Sequence, residues 1–210
     1  MSDNGKSCVC CCQFVITLGL TALFVWLSLR TTGPKCSLQL FYIPALNQTL
    51  NAPENTTLFF KLRLQNTNDE KGVYYDPVNV TFFDSPNRSH SIGNYTIPKF
   101  YQGHKKKATK PGQFQTSGLD RQAVVHEISV KRWAVFRVDM ATSVRYKILL
   151  WKTKRHTIKV GADVHVNNQG TQDPKKGVKL KSNAAKIGSW SGKMGLLMFN
   201  FSALILLSLW

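Results

Sequence analysis

The body of this chain has almost no cysteine and few acids. Cys8, Cys10, Cys11 and Cys12 are crowded at the N-terminus, and Cys36 stands alone beyond them. A disulfide framework is therefore excluded, so the fold must rest on an apolar core. The C-x-C-C-C spacing is too tight for paired zinc ligands. Gly103 lacks the following G-K-[ST] of a phosphate loop, and no nucleophile elbow accompanies the histidines. Asp163 and His165, two apart on one strand face, are half an acid–base pair without a third member. They read as a solvated polar face, and the chain reads as a non-enzyme that needs no cofactor. Between Ser37 and Val166 no helical period of useful length is evident either.

Acids number 11 against 28 Lys and Arg, a net charge of +17 over 210 residues. The imbalance is regional: residues 37–98 hold 4 basic and 5 acidic side chains, whereas 99–186 hold 20 and 5. A basic domain seeks polyanions, and its location decides which ones it meets. The bland alternative is that the lysines only keep it soluble.

Location is read from the two apolar ends. Ser7–Leu29 carries no charge and is bounded by Lys6 and Arg30. As a helix this run would reach about 34 Å, enough for a bilayer core. No small-residue cleavage site follows it, which favours a retained signal anchor over residues 13–30 against a cleaved signal peptide. Residues 1–12 would then be a cytosolic N-terminus, with Cys8, Cys10, Cys11 and Cys12 as S-acylation candidates or as small apolar residues at headgroup depth. Flanking charges argue weakly for the opposite orientation, but long domains translocate largely regardless of them. The last residues, Met194–Trp210, are also uncharged. Upstream lie Ser182-Asn183-Ala184-Ala185 and a short polar spacer. Small site, spacer and apolar tail match a GPI signal, with Asn183 the expected attachment residue and Ser182 or Ser189 the alternatives. A short second helix is the competing reading of the tail.

Five N-x-[ST] acceptors fall between residues 47 and 96: Asn47, Asn55, Asn79, Asn87 and Asn94. A sixth, Asn200, lies in the apolar tail. Random placement of the chain's asparagines would give roughly two. The excess places residues 37–166 in the secretory lumen and then outside the cell, which removes nucleic acid as a partner. Acidic polysaccharide and anionic lipid headgroups remain.

The lumenal region alternates with period 2. Leu58, Phe60, Leu62 and Leu64 share one face, as do Val78, Val80 and Phe82, with Asn79 turned outward. Ala134, Phe136, Val138 and Met140 form a third set. Val144–Leu150 and Thr157–Val166 read as a hairpin across the basic turn Lys152–His156. Seven or so such strands predict an all-β domain, an antiparallel β-sandwich over 37–166. The polar stretch 167–193 reads as a stalk carrying the GPI region, and 194–210 as a tail that is removed. Tyr101, His104, Lys105, Lys106 and Lys107 put an aromatic ring beside cations and are the candidates for binding a partner or polysaccharide. The plain alternative is a turn that Phe100 and Tyr101 anchor in the core.

Three stretches resemble the plant non-race-specific disease resistance and harpin-induced family. FYQGHK at 100–105 is one family motif. QNTNDEKGVYYD at 65–76 resembles a second, with Thr67 where the family has proline. The third is 144–166, and the likeness runs from the cysteine cluster through Pro34–Leu46 to the tail. The resemblance implies a late-embryogenesis-abundant type 2 sandwich after an N-terminal transmembrane helix. It also implies GPI anchoring at the plasma membrane. The function implied is disease-resistance signalling, with hypersensitive response and defence against bacteria, through intracellular immune regulators that meet the cytosolic N-terminus. A structural water-stress role of the same fold class is the alternative. The Asn-Gly-Asp triplet linked in that family to wall adhesion is absent, since the chain reads Asn167-Asn168-Gln169-Gly170 there.

Overall fold

A computed structural model describes residues 4–50, 53–148 and 150–182, apart from the side chains of 4–12 and 27–29. It opens with helix α1 (Asn4–Leu29). Two sheets follow. The smaller holds β1 (Lys35–Asn47), β2 (Thr57–Gln65), β7 (Lys107–Gln115), β11 (Gln169–Thr171) and β12 (Val178–Leu180). The larger holds β3 (Gly72–Tyr75), β4 (Val78–Phe83), β5 (Ser91–Ile97), β6 (Phe100–Gln102), β8 (Ala134–Ile148), β9 (Trp151–Lys152) and β10 (His156–Val166). Helix α2 (Arg121–Lys131) joins β7 to β8. Every ladder between named strands is antiparallel.

The alternation read from the sequence is what packs the sheets. Leu58, Phe60, Leu62 and Leu64 of β2 are buried while Lys61 and Arg63 face solvent. Val78, Val80 and Phe82 are buried on β4, with Asn79 exposed. Between the layers Phe41, Phe60, Phe82 and Phe136 meet at centroid separations of 5.0–6.2 Å. Each is no more than 1% exposed, and burying one such ring contributes about 2–3 kcal/mol. The predicted hairpin is present: β10 pairs β8 from His156↔Val144 to Val166↔Ala134. The runs read as separate, 134–140 and 144–150, are one strand as far as Ile148, because alternation continues without a break.

Three expectations are corrected. A helix does lie between the strands. Asp120 caps α2 by accepting from the Ala123 N–H at 3.0 Å, and Arg132 ends it in a left-handed conformation. It buries only Val124 and Ile128, one turn apart, too narrow a stripe to show as a period. Second, residues 167–182 are not stalk. β11 and β12 pair with β1, and Gly161↔Lys181 ties the segment to β10, closing one edge of the sandwich. Third, among the described residues no helix is long and apolar enough to cross a membrane. The membrane span expected over 13–30 is not found among them.

The topology gives the sandwich two distinct ends. Lys35↔Gln65↔Lys107 marks the end where α1 joins. The turn after β6 and the end of β8 lie there too, through Val73↔Gln102 and Gly72↔Lys147. α2 covers the opposite end, where Arg121 Nε donates to the Ala45 carbonyl at 2.8 Å.

Candidate functional site

The two sequence motifs meet at the end where α1 joins, and buried amides hold them together. Asn66, fully buried, donates from Nδ2 to the carbonyls of Lys71 (2.7 Å) and Gly103 (3.0 Å). Its Oδ1 accepts from the backbone N–H and Nδ2 of Asn68. Asn68 in turn exchanges two 2.8 Å bonds with the backbone of Thr32. Gln102 donates to the Leu64 and Lys106 carbonyls and accepts from the Tyr75 hydroxyl at 2.9 Å. Lys71 is 8% exposed and donates to the Arg30 carbonyl; burial lowers its pKa, against an upward pull from Glu70. Asn66, Asn68, Gln102 and Lys71 each have partners, as burial requires, whereas the buried Thr67 hydroxyl between the two asparagines has none. The same burial pushes the Cys36 thiol up to about 12 and raises the Tyr75 phenol.

This frame sorts the candidate residues into inside and outside. Phe100 stacks on Tyr75 at 4.5 Å and is half-buried, so it anchors the turn. Tyr101 points the other way and is exposed, 4.6 Å from the Tyr74 ring and lying over Gly72, where a Cβ would collide with its hydroxyl. His104, Lys105, Lys106 and Lys107 are all exposed in or beside the turn. Lys105 takes a positive φ of 53° there and pairs with Asp69 at 3.1 Å. The Lys152 ammonium sits 4.3 Å over the Tyr74 ring, and Arg145 and Arg155 reach Asp76. The five candidates thus come together on an open aromatic and cationic surface able to stack on a ring or hold an anion. Sequence reasoning missed Asn66, Asn68 and Gln102, which build the frame. Their signal was three amides inside otherwise aromatic or charged motifs.

All five described sequons are accessible. Asn79 and Asn94 sit exposed on the outer face of neighbouring strands, through Asn79↔Thr96 and Thr81↔Asn94. Asn47 ends β1, and Asn55 and Asn87 lie in loops, each accepting on Oδ1 from the N–H two residues on. None is in the loops at the α1-joined end. Asn183 lies outside the described residues, as do the side chains of Cys8, Cys10, Cys11 and Cys12.

Across the outer face of the larger sheet runs an ionic row. Arg137, on β8, donates to Asp139 (2.8 Å) and Asp163 (2.9 Å), and Arg88 also pairs with Asp139. Burial alone would raise the Asp139 carboxyl; Arg88 and Arg137 outweigh it and hold it below the usual carboxylate range. Asp163 is thus engaged by Arg137, while His165 stands edge-on to Trp133 at 5.8 Å. Beside the row is a depression of about 720 Å³ bordered by Asn79, Thr81, Arg88, Asp139 and Lys159. Among the described residues no three His, Cys, Asp or Glu side chains converge on a metal position.

Fold and surface define a class: a two-sheet antiparallel domain behind an N-terminal helix, with exposed sequons at one part and bare cations at another. Protein NDR1 of Arabidopsis thaliana is 49% identical over 189 residues, covering 87% of this chain and 85% of that one. NDR1/HIN1-like protein 3 of the same plant is 29% identical over 166 residues, covering 72% and 67%. NDR1/HIN1-like protein 10 is 26% identical over 185 residues, covering 76% of each. The chain belongs to the NDR1/HIN1-like family. No protein-family model matches it. A solved structure described as a late embryogenesis abundant protein overlays at TM-score 0.34 and 8% identity, covering 74% of this chain and 85% of that one. One from Archaeoglobus fulgidus overlays at 0.29 and 8%, covering 66% and 98%. At these scores neither overlay adds to the strand pairing described above.

Proposed function

We propose that this chain is a membrane-tethered glycoprotein of the plant disease-resistance response, with its sandwich on the outer side of the plasma membrane and no catalytic step. The observation that carries the reading is the 49% identity to NDR1 over most of both chains. The exposure of the sequon side chains at Asn55, Asn79, Asn87 and Asn94 supports the lumenal placement, since a glycan needs solvent. Tethering follows from the uncharged runs at both ends, with S-acylation at Cys8–Cys12 and GPI attachment at Asn183 as its chemistry. The N-terminal residues would then meet immune regulators inside the cell.

The test is biochemical and genetic. Protein from plant membranes should lose mass on N-glycosidase digestion and be released by a phosphatidylinositol-specific phospholipase. Plants lacking the chain should lose pathogen-triggered cell death, and the intact chain should restore it. An unglycosylated protein with its sandwich facing cytoplasm would overturn the placement. Intact cell death with altered water-stress tolerance would favour a structural role instead.

A further inference from the structure

The end of the sandwich that α1 joins has a chemistry of its own. Only residues 30–34 separate α1 from β1, a reach of at most about 17 Å. That linker is fixed to the domain: Asn68 holds both backbone groups of Thr32, and Lys71 holds the Arg30 carbonyl. Cys36↔Leu180 brings the C-terminal side of the described chain back beside the same point. Gly72↔Lys147 sets the end of β8, and hence the turn beyond it, next to the loop that grips the linker.

That turn is apolar at its tip. Leu150 is 97% exposed and Trp151 57%, with Tyr101 50% exposed two strands beyond β8, on β6. A globular domain facing only water has no use for such a tip, and a cluster of this kind marks an interaction surface. The loops and strand ends on this side of the sandwich carry Lys105, Lys106, Lys147, Lys152, Lys154 and Arg155, against Asp69, Glu70 and Asp76. All five described sequons are elsewhere, so this end stays bare of sugar.

We propose that this end rests on the anionic headgroups of the bilayer that tethers the chain, with Leu150 and Trp151 entering at headgroup depth. The inference builds on the membrane tethering proposed above. Tryptophan, leucine and lysine are the side chains that settle at a bilayer interface, ring and methyl groups inward and ammonium groups at the phosphates. Each basic residue near an anionic surface strengthens binding about fivefold. Because the linker is clamped, the tip cannot turn away from the membrane that α1 approaches. The tether and the contact surface therefore act as two linked binding events. Docked in this way, the sandwich would stand with α2 and the glycans outward.

The experiment uses the full chain with vesicles of phosphatidylcholine, alone or with phosphatidylserine. Flotation on the neutral vesicles reports the tether. Amide hydrogen exchange over residues 150–155 and 103–107 on the anionic vesicles reports the docking. The expected result is slowed exchange in both segments on anionic vesicles only, reversed by high salt. L150S/W151S should abolish the protection, and K152E/K154E/R155E should weaken the anion-dependent part at least about hundredfold, both with unchanged exchange in β2 and β8. Flotation on neutral vesicles with no protected tip would overturn the docking and keep the tether. Protection on anionic vesicles without flotation on neutral ones would keep the docking and overturn the tether. Equal protection on both vesicles, or protection by soluble polygalacturonate instead of lipid, would overturn the proposal.

Discussion

The α1-joined end and the outer face of the larger sheet each carry a polar cluster, built on opposite plans. At the end, three neutral amides sit at 0–6% exposure and bind mostly backbone carbonyls and N–H groups of three separate loops. On the face, guanidiniums meet carboxylates that remain 26% and 47% exposed. A neutral amide can be buried completely because its dipoles are satisfied locally. A carboxylate cannot be buried at that cost unless paired, so the carboxylates of the row stay where water still reaches them, and the buried Arg137 is held between two of them. The amides therefore specify loop conformation, whereas the row only ties strands already paired.

The contrast breaks most sharply at Asn66. N66A would strip partners from the Lys71 and Gly103 carbonyls and from Asn68, at a cost of about 2–4 kcal/mol. N66D should be at least as damaging, since its carboxylate would face two carbonyl oxygens. Chemical denaturation of the folded chain measures both; a loss below about 1 kcal/mol for either would mean the network is not structural. Q102A comes next, at about 1–3 kcal/mol, because it removes a donor from the Leu64 carbonyl and the acceptor from the buried Tyr75 hydroxyl.

The ionic row should respond less, and chiefly to pH. Asp139 is held below the ordinary carboxylate range by Arg88 and Arg137. Its contribution is therefore complete above the unfolded-state value, about 4, and disappears as pH falls through the lower folded value. R137M should cost about 1 kcal/mol at neutral pH, a figure kept small because the two carboxylates it leaves are 26% and 47% exposed and water takes the place of the guanidinium. It should also move acid unfolding to higher pH, because Asp139 then protonates earlier. Circular dichroism across an acid titration checks this; an unmoved midpoint would assign the shift to Arg88 alone.

Much of this architecture could be read from residues that alternate, and little from residues that do not. β2 and β4 show their pattern because one face is buried throughout, and β10 because one face is buried or half-buried while the other is mostly exposed. β7 hides: it is an edge strand with no fully buried residue, and Pro111 and Gly112 interrupt it. Proline survives there because the unpaired edge needs no ladder N–H. β11 and β12 are three residues each, too short to show an alternation, so they pass for loop. The motif residues Tyr101 and Lys105–Lys107 were legible as a cluster. The amides that position them were not, because a buried Asn and an exposed Asn are the same letter until the loops around them close.

Cys36 offers the finest probe of that closure. Its thiol lies beneath the amide network at 5% exposure, and burial pushes it up to about 12. At pH 8 almost none of it is thiolate, so alkylation requires opening of the surrounding loops. Iodoacetamide treatment of the folded chain, followed by peptide mass analysis of the 35–61 region, should leave Cys36 unmodified while the N66A chain labels. Because the rate follows the population of the opened state, a cost of about 3 kcal/mol at Asn66 should appear as an acceleration of about a hundredfold. R137M should leave the rate at the parent's value despite its cost of about 1 kcal/mol, since the row lies on the far side of the larger sheet. An R137M acceleration of about fivefold, the full equivalent of that cost, would mean that Cys36 is reached only by global unfolding and that the two clusters belong to one cooperative unit.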